Sequence, residues 1–295
     1  MKIVVLGSNG QLGQELQSLP KNERQTWIFV NRNQCDLTDY NQIKSVIQSE
    51  NPDYLINCAA YTSVDKAESE TDNSFRINGD ALKKIGEQCI QIGCRVVHFS
   101  TDYVFDGQSN RPYFENSKTN PLGVYGKSKL AGEELLHASG CEYRVIRTSW
   151  VYSPNGKNFV NTIRRLAKER KELNVVNDQI GSPTFTEDLA KLTIRIIQNW
   201  DEDVNRNSYN RGVLYHYSNE GIASWYDFAK AIVELSELNC NIEAIPSEQY
   251  PTPAPRPFYS VLSKEKIKRE LNITIPHWRE SLAKCLKVTA KFDRI

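Results

Sequence analysis

The sequence has almost no net charge and lacks both a long apolar run and a paired cysteine motif. Its 37 basic and 36 acidic residues leave a formal net charge of +1 over 295 residues, so no overall field would draw it to nucleic acid or a membrane surface. No apolar stretch approaches the roughly 20 residues of a membrane-spanning helix. The chain begins directly with an apolar run typical of a buried strand, which argues against a cleaved signal peptide. We therefore expect a cytoplasmic protein without nucleic-acid or membrane partners.

The seven cysteines are an odd number, and no two of them form a Cys-x-x-Cys pair. Several lie in apolar surroundings, which predicts reduced, mostly buried thiols. Cys89, Cys94 and His98 come nearest to a metal-ligand group. Cys89 is predicted on a helix and His98 on the next strand, however, and no fourth ligand is nearby. We predict no metal site.

Short apolar strands alternate with amphipathic helices through the first half of the chain. We predict strands at residues 2–6, 27–30, 54–57, 95–99 and 143–146, and helices at residues 11–19, 40–49 and 72–92 and around Tyr125. This order predicts an α/β fold with a Rossmann-type doubly wound parallel sheet, covered by helices on both faces. Ligands of such sheets bind beyond the carboxyl ends of the strands.

The regular alternation stops after about residue 150. We predict a dinucleotide-binding domain at residues 1–150 and a smaller, irregular, mainly substrate-binding domain at residues 151–295, with some segments returning to the first sheet. The polar, asparagine-rich residues 200–212 predict an exposed loop or insertion. The four prolines of residues 250–257 predict an extended segment.

Gly7, Gly10 and Gly13 follow a Gly-x-x-Gly-x-x-Gly spacing between the first strand and the first helix. Glycines here allow a tight turn, close approach of the backbone to a diphosphate and close helix packing, and the helix that begins with Gln11 and Leu12 would face the anion. An ordinary glycine-rich turn is the alternative, but its position between strand and helix favours a dinucleotide site.

Residues that follow the second and third predicted strands indicate the rest of the dinucleotide site. No acidic residue follows the second strand to bind a ribose 2′-hydroxyl, whereas Arg32 could meet a 2′-phosphate, which favours NADP(H) over NAD(H). An ordinary surface arginine is the alternative for Arg32, and NADH stays open. Asp36 and Leu37 are placed to meet an adenine. The cofactor could lie close to residues 59–61, which are Ala59, Ala60 and Tyr61.

Tyr125 and Lys129 are four residues apart, which places them on one helix face. An ammonium beside a phenol lowers the pKa of the phenol from about 10, and such a tyrosine can exchange a proton with a carbonyl or alcohol. Thr101 ends the fourth strand, where its hydroxyl could bond a substrate carbonyl oxygen. A strand end capped by Thr101 and Asp102 is the structural alternative.

These residues together resemble the extended short-chain dehydrogenase/reductase family. Five strings resemble in particular its dTDP-4-dehydrorhamnose reductase branch, in order along nearly the whole chain: residues 60–69 (AYTSVDKAES), 100–107 (STDYVFDG), 124–133 (VYGKSKLAGE), 147–152 (RTSWVY) and 253–257 (PAPRP).

The resemblance implies NAD(P)H-dependent reduction of the C4 ketone of dTDP-4-dehydro-L-rhamnose, a small nucleotide sugar. Tyr125 would protonate the oxygen, Lys129 would bind the nicotinamide ribose, and Thr101 would bond O4. The implied substrate-binding residues are Thr62, Val64, Thr101, Asp102 and Trp150, and we add Arg256 as a diphosphate contact because a guanidinium suits that geometry. Asn78 would hold the active-site helix or a water.

Members of this branch are described as magnesium-bridged dimers held through glutamates, which leaves a homodimer open. Glu15 and Glu187 occupy matching positions, but residues 283–288 lack the expected C-terminal glutamate. A sugar-nucleotide dehydratase would need a glutamate where Tyr103 stands. A 4-epimerase or another 4-ketoreductase stays open, as does a non-catalytic regulatory subunit, although the intact Thr101, Tyr125 and Lys129 argue against the last.

Overall fold

The computed structural model describes residues 1–205 and 211–292. Its strands are short and most are buried. They are β1 Lys2–Leu6, β2 Thr26–Val30, β3 Tyr54–Asn57, β4 Arg95–Thr101, β5 Tyr143–Thr148, β6 Val151–Tyr152, β7 Glu172–Val176, β8 Ile180–Gly181, β9 Thr184–Phe185, β10 Gly212–Tyr217, β11 Ala223–Ser224 and β12 Asn241–Ile245. The five strands predicted in the first half are confirmed within two residues at each end.

The helices lie mainly between the strands. They are α1 Gln11–Ser18, α2 Tyr40–Glu50, α3 Val64–Ala67, α4 Thr71–Phe75, α5 Ala81–Ile92, α6 Val124–Ala138, α7 Phe159–Glu169, α8 Thr186–Asn205, α9 Trp225–Leu235, α10 Glu265–Leu271 and α11 Trp278–Phe292. A π-helical turn, Arg76–Asp80, joins α4 to α5. Residues 72–92 are therefore helical as predicted, but with one wide turn that the periodicity did not indicate.

Six parallel strands form the main sheet in the order β10-β5-β4-β3-β1-β2. The chain adds β2 on one side of β1 and then places β3 on the other side, so the order reverses between β1 and β3. Ligands of doubly wound sheets bind at this reversal, outside the carboxyl ends of the strands. The fold class is the one that the sequence predicted.

Alternate residues of the strands supply two apolar layers. Ile3 and Val5 face a cluster that contains Leu16 of α1, whereas Val4 and Leu55 face a cluster that contains Ile43 of α2. Strands that are buried on both faces need apolar residues at every position, which is why they appear in the sequence as continuous runs.

The loop predicted at residues 200–212 is wrong at both ends of the segment, where the structure has the end of a helix and the start of a strand. Helix α8 continues to Asn205 and β10 begins at Gly212; residues 206–210 lie outside the described residues. Trp200 is only 1% exposed. Its ring lies 5.7 Å from the Tyr54 ring and 3.9 Å from the guanidinium carbon of Arg144, so packing outweighs the polar composition of the residues that follow.

Short strand pairs and helices α7, α9 and α11 fill the second half. They enclose a separate apolar cluster around Phe228 and Trp278. Strand β10 pairs with β5 at the edge of the main sheet. Residues 250–257 form neither helix nor strand, as their prolines predicted. The division of function at about residue 150 stays a prediction. None of the described helices combines the length and apolar character needed to cross a bilayer.

Candidate functional site

The turn after β1 brings the backbone of two strand ends together. Gly7 has a φ of +77°, and a Cβ on it would lie 2.6 Å from the amide nitrogen of Ala59, so only glycine fits this crossing. A Cβ on Gly13 would lie 2.5 Å from the carbonyl oxygen of Gly7. Helix α1 starts after Gly10 without a side-chain cap, which leaves its first amide groups for a ligand.

A cavity of about 210 Å³ opens beside this turn at the reversal of the sheet. Seven residues predicted for the cofactor line it: Gly7, Gly10, Arg32, Asp36, Leu37, Ala59 and Ala60. Four that the sequence reasoning missed also line it, namely Asn9, Cys35, Cys58 and Ile77. The glycine cradle and the uncapped helix start fit a dinucleotide diphosphate on structural grounds alone.

The end of the cavity near β2 carries an ion pair. Arg32 Nε lies 3.1 Å from Asp36 Oδ2, and the Arg32 side chain is 74% exposed. Hydrogen bonds from Thr38 are the main reason that the pKa of Asp36 is lowered, with Arg32 contributing less. Arg32 therefore stands at the rim of the cavity with most of its guanidinium in solvent.

Asn78 ties the strand end of the cavity to the helix that carries Tyr125. Its Oδ1 accepts a hydrogen bond from Tyr61 N at 2.9 Å, and its Nδ2 donates to Tyr61 O and to Ser128 Oγ, both at 3.0 Å. Ser128 Oγ in turn donates to Tyr125 O at 2.8 Å. The π-helical turn that contains Asn78 thus ties the segment after β3 to α6; such turns are frequent at functional sites.

Tyr125 and Thr101 meet where β4 ends. The Thr101 side chain lies close enough to the Tyr125 phenol to affect its pKa, and the Thr101 hydroxyl donates to Asp102 Oδ1 at 3.1 Å. The ring of Tyr103 packs edge-on against Tyr125 with centroids 5.6 Å apart. The structure therefore brings three predicted residues, Thr101, Asp102 and Tyr125, into one cluster.

The predicted lowering of the Tyr125 pKa is wrong. Burial raises the pKa of Tyr125 to about 12, and the negative charge of Asp102 acts in the same direction, whereas the Thr101 hydrogen bond opposes both. The desolvation of the phenolate dominates, since the Tyr125 ring packs against Tyr103, which follows the end of β4. Tyr125 is consequently a protonated donor at neutral pH.

Lys129 is buried, with 2% of its surface exposed. Its Nζ donates to Phe99 O at 2.6 Å and lies 3.2 Å from His98 Nε2. Burial lowers the pKa of Lys129 to about 8. The sequence indicated neither of these partners, since they lie on β4 rather than on the helix of Lys129.

Asp102 is 2% exposed, and its Oδ2 has no hydrogen-bond partner among the described residues. Burial raises the pKa of Asp102 to about 6, although hydrogen bonds from Ser260 and Thr101 oppose that shift. Ser260 is a contact that the sequence reasoning missed. A buried carboxyl oxygen without a partner at the carboxyl end of β4 suits a ligand hydroxyl.

The remaining predicted substrate residues surround this cluster. Thr62 is exposed and Val64 begins α3. Arg256, from the proline-rich segment, binds both Asp65 oxygens at 2.9 Å, and its Nη1 is buried without a partner among the described residues. The Arg256 pair fastens that segment to α3 and leaves one guanidinium nitrogen for a further acceptor.

Trp150 is held in a slot between two residues of the second half. Its φ is +48°, which is unusual for a tryptophan. Its ring stacks on Trp225 with centroids 3.6 Å apart. A Cβ on Gly181 would lie 2.7 Å from Trp150 Cε2, so Gly181 also lies directly against the indole. Trp225 and Gly181 together fix the position of the ring.

Glu15 and Glu187 lie near each other at the α1–α8 contact. Glu15 Oε2 accepts a hydrogen bond from Thr186 Oγ1 at 3.3 Å, and Lys191 pairs with Glu187. Burial raises the pKa of Glu15, with a smaller contribution from Glu187. Whether the chain forms the implied homodimer stays a prediction.

Fold and site together define a Rossmann-type enzyme of the dehydrogenase/reductase class. The chain belongs to the dTDP-4-dehydrorhamnose reductase family, because the family described as RmlD substrate binding domain matches residues 1–291 and curated relatives of that name match over nearly full length. The dTDP-4-dehydrorhamnose reductase of Escherichia coli (strain K12) is 38% identical, with 97% of each chain covered.

Two other relatives add to this assignment. The spore coat polysaccharide biosynthesis protein SpsK of Bacillus subtilis (strain 168) is 42% identical, again with 97% of each chain covered. The crystal structure of dTDP-4-dehydrorhamnose reductase from Bacillus anthracis (strain Ames), in complex with NADP, superimposes with a TM-score of 0.91 at 35% identity, covering 98% of this chain and 99% of that one.

Proposed function

We propose that this protein reduces the C4 ketone of dTDP-4-dehydro-L-rhamnose to the alcohol of dTDP-L-rhamnose with NADPH, and that NADH serves less well. The observation that carries the proposal is the cluster of Thr101, Asp102 and Tyr125, which stands at the same sheet edge as the glycine-lined cavity. Residues 1–150 would hold the cofactor and residues 151–295 mainly the nucleotide sugar. The names of the relatives support the choice of substrate.

The proposed chemistry divides between the cofactor and the protein. NADPH, when bound, supplies the hydride. Thr101 orients the ketone oxygen by a hydrogen bond, and Tyr125 donates its phenolic proton to that oxygen as it becomes a hydroxyl. The raised pKa suits this direction, because Tyr125 enters the reaction protonated. Asp102 and Trp150 would fix the sugar, and Arg256 Nη1 would meet its diphosphate.

We expect Arg32 to set the preference between the two cofactors. Replacing it (Arg32→Ala) removes the cation at the rim of the cavity and should raise the KM for NADPH by about tenfold, the effect of one exposed phosphate contact. The KM for NADH should change by less than about twofold. Arg269→Ala is a matched control, since that arginine is 73% exposed and paired with Glu270. An equal loss with both cofactors would contradict the proposed contact.

We expect the Trp150 slot to control the affinity for sugar. In Gly181→Ala the new methyl group collides with the indole, so the KM for the nucleotide sugar should rise by about tenfold or more while NADPH affinity stays unchanged. Trp225→Phe keeps an aromatic ring against Trp150 and should have a smaller effect. Steady-state kinetics with each substrate varied separately gives both numbers; an unchanged sugar KM in Gly181→Ala would exclude Trp150 from the sugar site.

The proposal is tested by incubating the purified protein with NADPH, dTDP-glucose and the two enzymes that convert it to the 4-keto-6-deoxy sugar. We expect loss of absorbance at 340 nm and one equivalent of dTDP-L-rhamnose per NADPH consumed. Absence of dTDP-rhamnose above the protein-free control would reject the assignment.

A second candidate is reduction of a related 4-keto-6-deoxy sugar nucleotide. It is favoured by the relative of highest identity reported above, whose name specifies a spore coat polysaccharide and no sugar. The same assay, run with other 4-keto-6-deoxy nucleotides, distinguishes the two by the ratio of kcat/KM values.

A further inference from the structure

Three buried polar residues form a chain behind the catalytic cluster. Asn57 ends β3, His98 lies in the middle of β4, and Lys129 projects from α6; they are 1%, 0% and 2% exposed. Polar side chains buried this deeply are almost always hydrogen-bonded. Their donors and acceptors can therefore be assigned in order.

The amide of Asn57 fixes the first assignment. Its Oδ1 accepts a hydrogen bond from Ala59 N at 3.1 Å, so its Nδ2 faces His98 Nδ1 at 3.2 Å. The opposite amide orientation would set two N–H groups against each other at Ala59. His98 Nδ1 consequently accepts a hydrogen bond and carries no proton.

The tautomer of His98 determines which hydrogen bond Lys129 can make. A neutral histidine whose Nδ1 accepts carries its proton on Nε2, and Nε2 lies 3.2 Å from Lys129 Nζ. An ammonium has no lone pair and cannot accept that hydrogen bond, whereas a neutral amine can. The same amine still donates to Phe99 O at 2.6 Å. The arrangement fits an uncharged Lys129.

The charges around Lys129 agree with this assignment. The negative charge of Glu133, on the same helix, favours the charged form of Lys129. Glu133 is itself bound by Arg147 of β5 through two nitrogens, at 2.7 and 3.0 Å. Among the described residues, β3 contributes Asn57 and β4 contributes His98 and the Phe99 carbonyl. Burial and Lys129 lower the pKa of His98 well below its usual range, and a hydrogen bond with the Asn57 backbone opposes that shift.

We propose that His98 is a positioning residue that holds Lys129 as a neutral amine in the free protein at mildly alkaline pH, so that Lys129 gains a proton from solvent when it turns from His98 towards a bound cofactor. For each neutral Lys129 that makes this turn, one proton leaves the bulk and one N–H bond forms on Nζ. The proposal deepens the proposed function, since it assigns Lys129 to the nicotinamide ribose. According to the proposal, Lys129 is neutral beside His98 and charged beside the cofactor.

Calorimetric titration of NADPH into the protein at about pH 8.5, repeated in buffers of different ionisation enthalpy, measures the protons taken up on binding. With a Lys129 pKa of about 8, we expect roughly 0.7 of a proton per site. Asp102 and Tyr125 do not contribute at this pH, because Asp102 is ionised and Tyr125 is protonated; the 2′-phosphate of NADPH, with a pKa near 6, is also ionised.

Three variants separate the outcomes. In His98→Gln an amide oxygen can accept from an ammonium, so Lys129 should already be charged and the uptake should fall below about 0.2 of a proton. His216→Gln is the matched control, since His216 is also 0% exposed, lies on β10 of the same sheet and contacts Tyr113 instead; its uptake should equal that of the wild type. Lys129→Met should abolish uptake even if His98→Gln fails to fold.

Wild-type uptake near zero, or an undiminished uptake in Lys129→Met or in a folded His98→Gln, would overturn the proposal. The experiment uses no sugar. A protein that reduces a different sugar would therefore give the same proton count, whereas a protein that fails to bind NADPH would contradict the proposed function itself.

Discussion

Replacing Tyr125 with phenylalanine is expected to lower kcat by about 10² to 10⁴-fold, the usual contribution of a general acid. The change removes a neutral O–H, because the raised pKa of Tyr125 keeps the phenol protonated. The cavity beside Gly7 should remain intact, so NADPH affinity should change by less than about twofold. Steady-state kinetics and a fluorescence titration with NADPH give the two numbers.

Tyr103→Phe is the control for this experiment. Tyr103 lies against Tyr125, with ring centroids 5.6 Å apart, and loses the same atom, but it has no proposed contact with the ketone oxygen. Its turnover should stay within a few-fold of the wild type. If both variants fall equally, packing rather than proton donation explains the loss. If Tyr125→Phe keeps wild-type turnover, another residue is the proton donor.

Replacing Gly7 with alanine is expected to abolish cofactor binding, with a fall in NADPH affinity of at least about 100-fold. Two effects combine. The residue has a φ of +77°, which costs a non-glycine residue about 1–2 kcal/mol, and the added Cβ would lie 2.6 Å from the Ala59 backbone. Relief of that contact must move the β1 turn away from β3, which opens the cavity.

Gly93→Ala separates the two effects. Gly93 ends α5 with a φ of +68°, and a Cβ there would meet nothing within 4 Å. That variant carries only the conformational cost and should lower the free energy of unfolding by about 1 kcal/mol with NADPH affinity unchanged. Thermal unfolding and NADPH titration of both variants compare them directly. Equal NADPH affinity in the two alanine variants would show that the close approach of Gly7 to the Ala59 backbone is not the reason for glycine at position 7.

Local sequence predicted the features that depend on short stretches of chain. The five strands and the glycine turn follow from apolar runs and from one spacing of glycines, and the structure places them where the pattern indicated. Residues 250–257 also behave as their prolines require. These features need no knowledge of what packs against them.

The features that were missed or wrongly predicted depend on distant contacts. The pKa of Tyr125 follows from burial, which the spacing to Lys129 does not determine. Trp200 is helical because it packs on Tyr54, far away in sequence. Arg256 meets Asp65 across 191 positions. Cys35, Cys58 and Ile77 line the cavity as apolar residues directly beside predicted contacts, so neighbouring positions could have indicated them.

The wide turn at Arg76–Asp80 links the hydrophobic core to the orientation of one amide. A π turn accommodates one more residue than an α turn, so tightening it to α geometry would rotate α5 by about 100° relative to α4. That rotation would carry Leu82, Ile85 and Cys89, each 0% exposed, out of their apolar layer. Burial of α5 therefore maintains the π turn, although it is less favourable than an α turn. The π turn in its turn keeps the Asn78 amide oriented towards Tyr61 and Ser128.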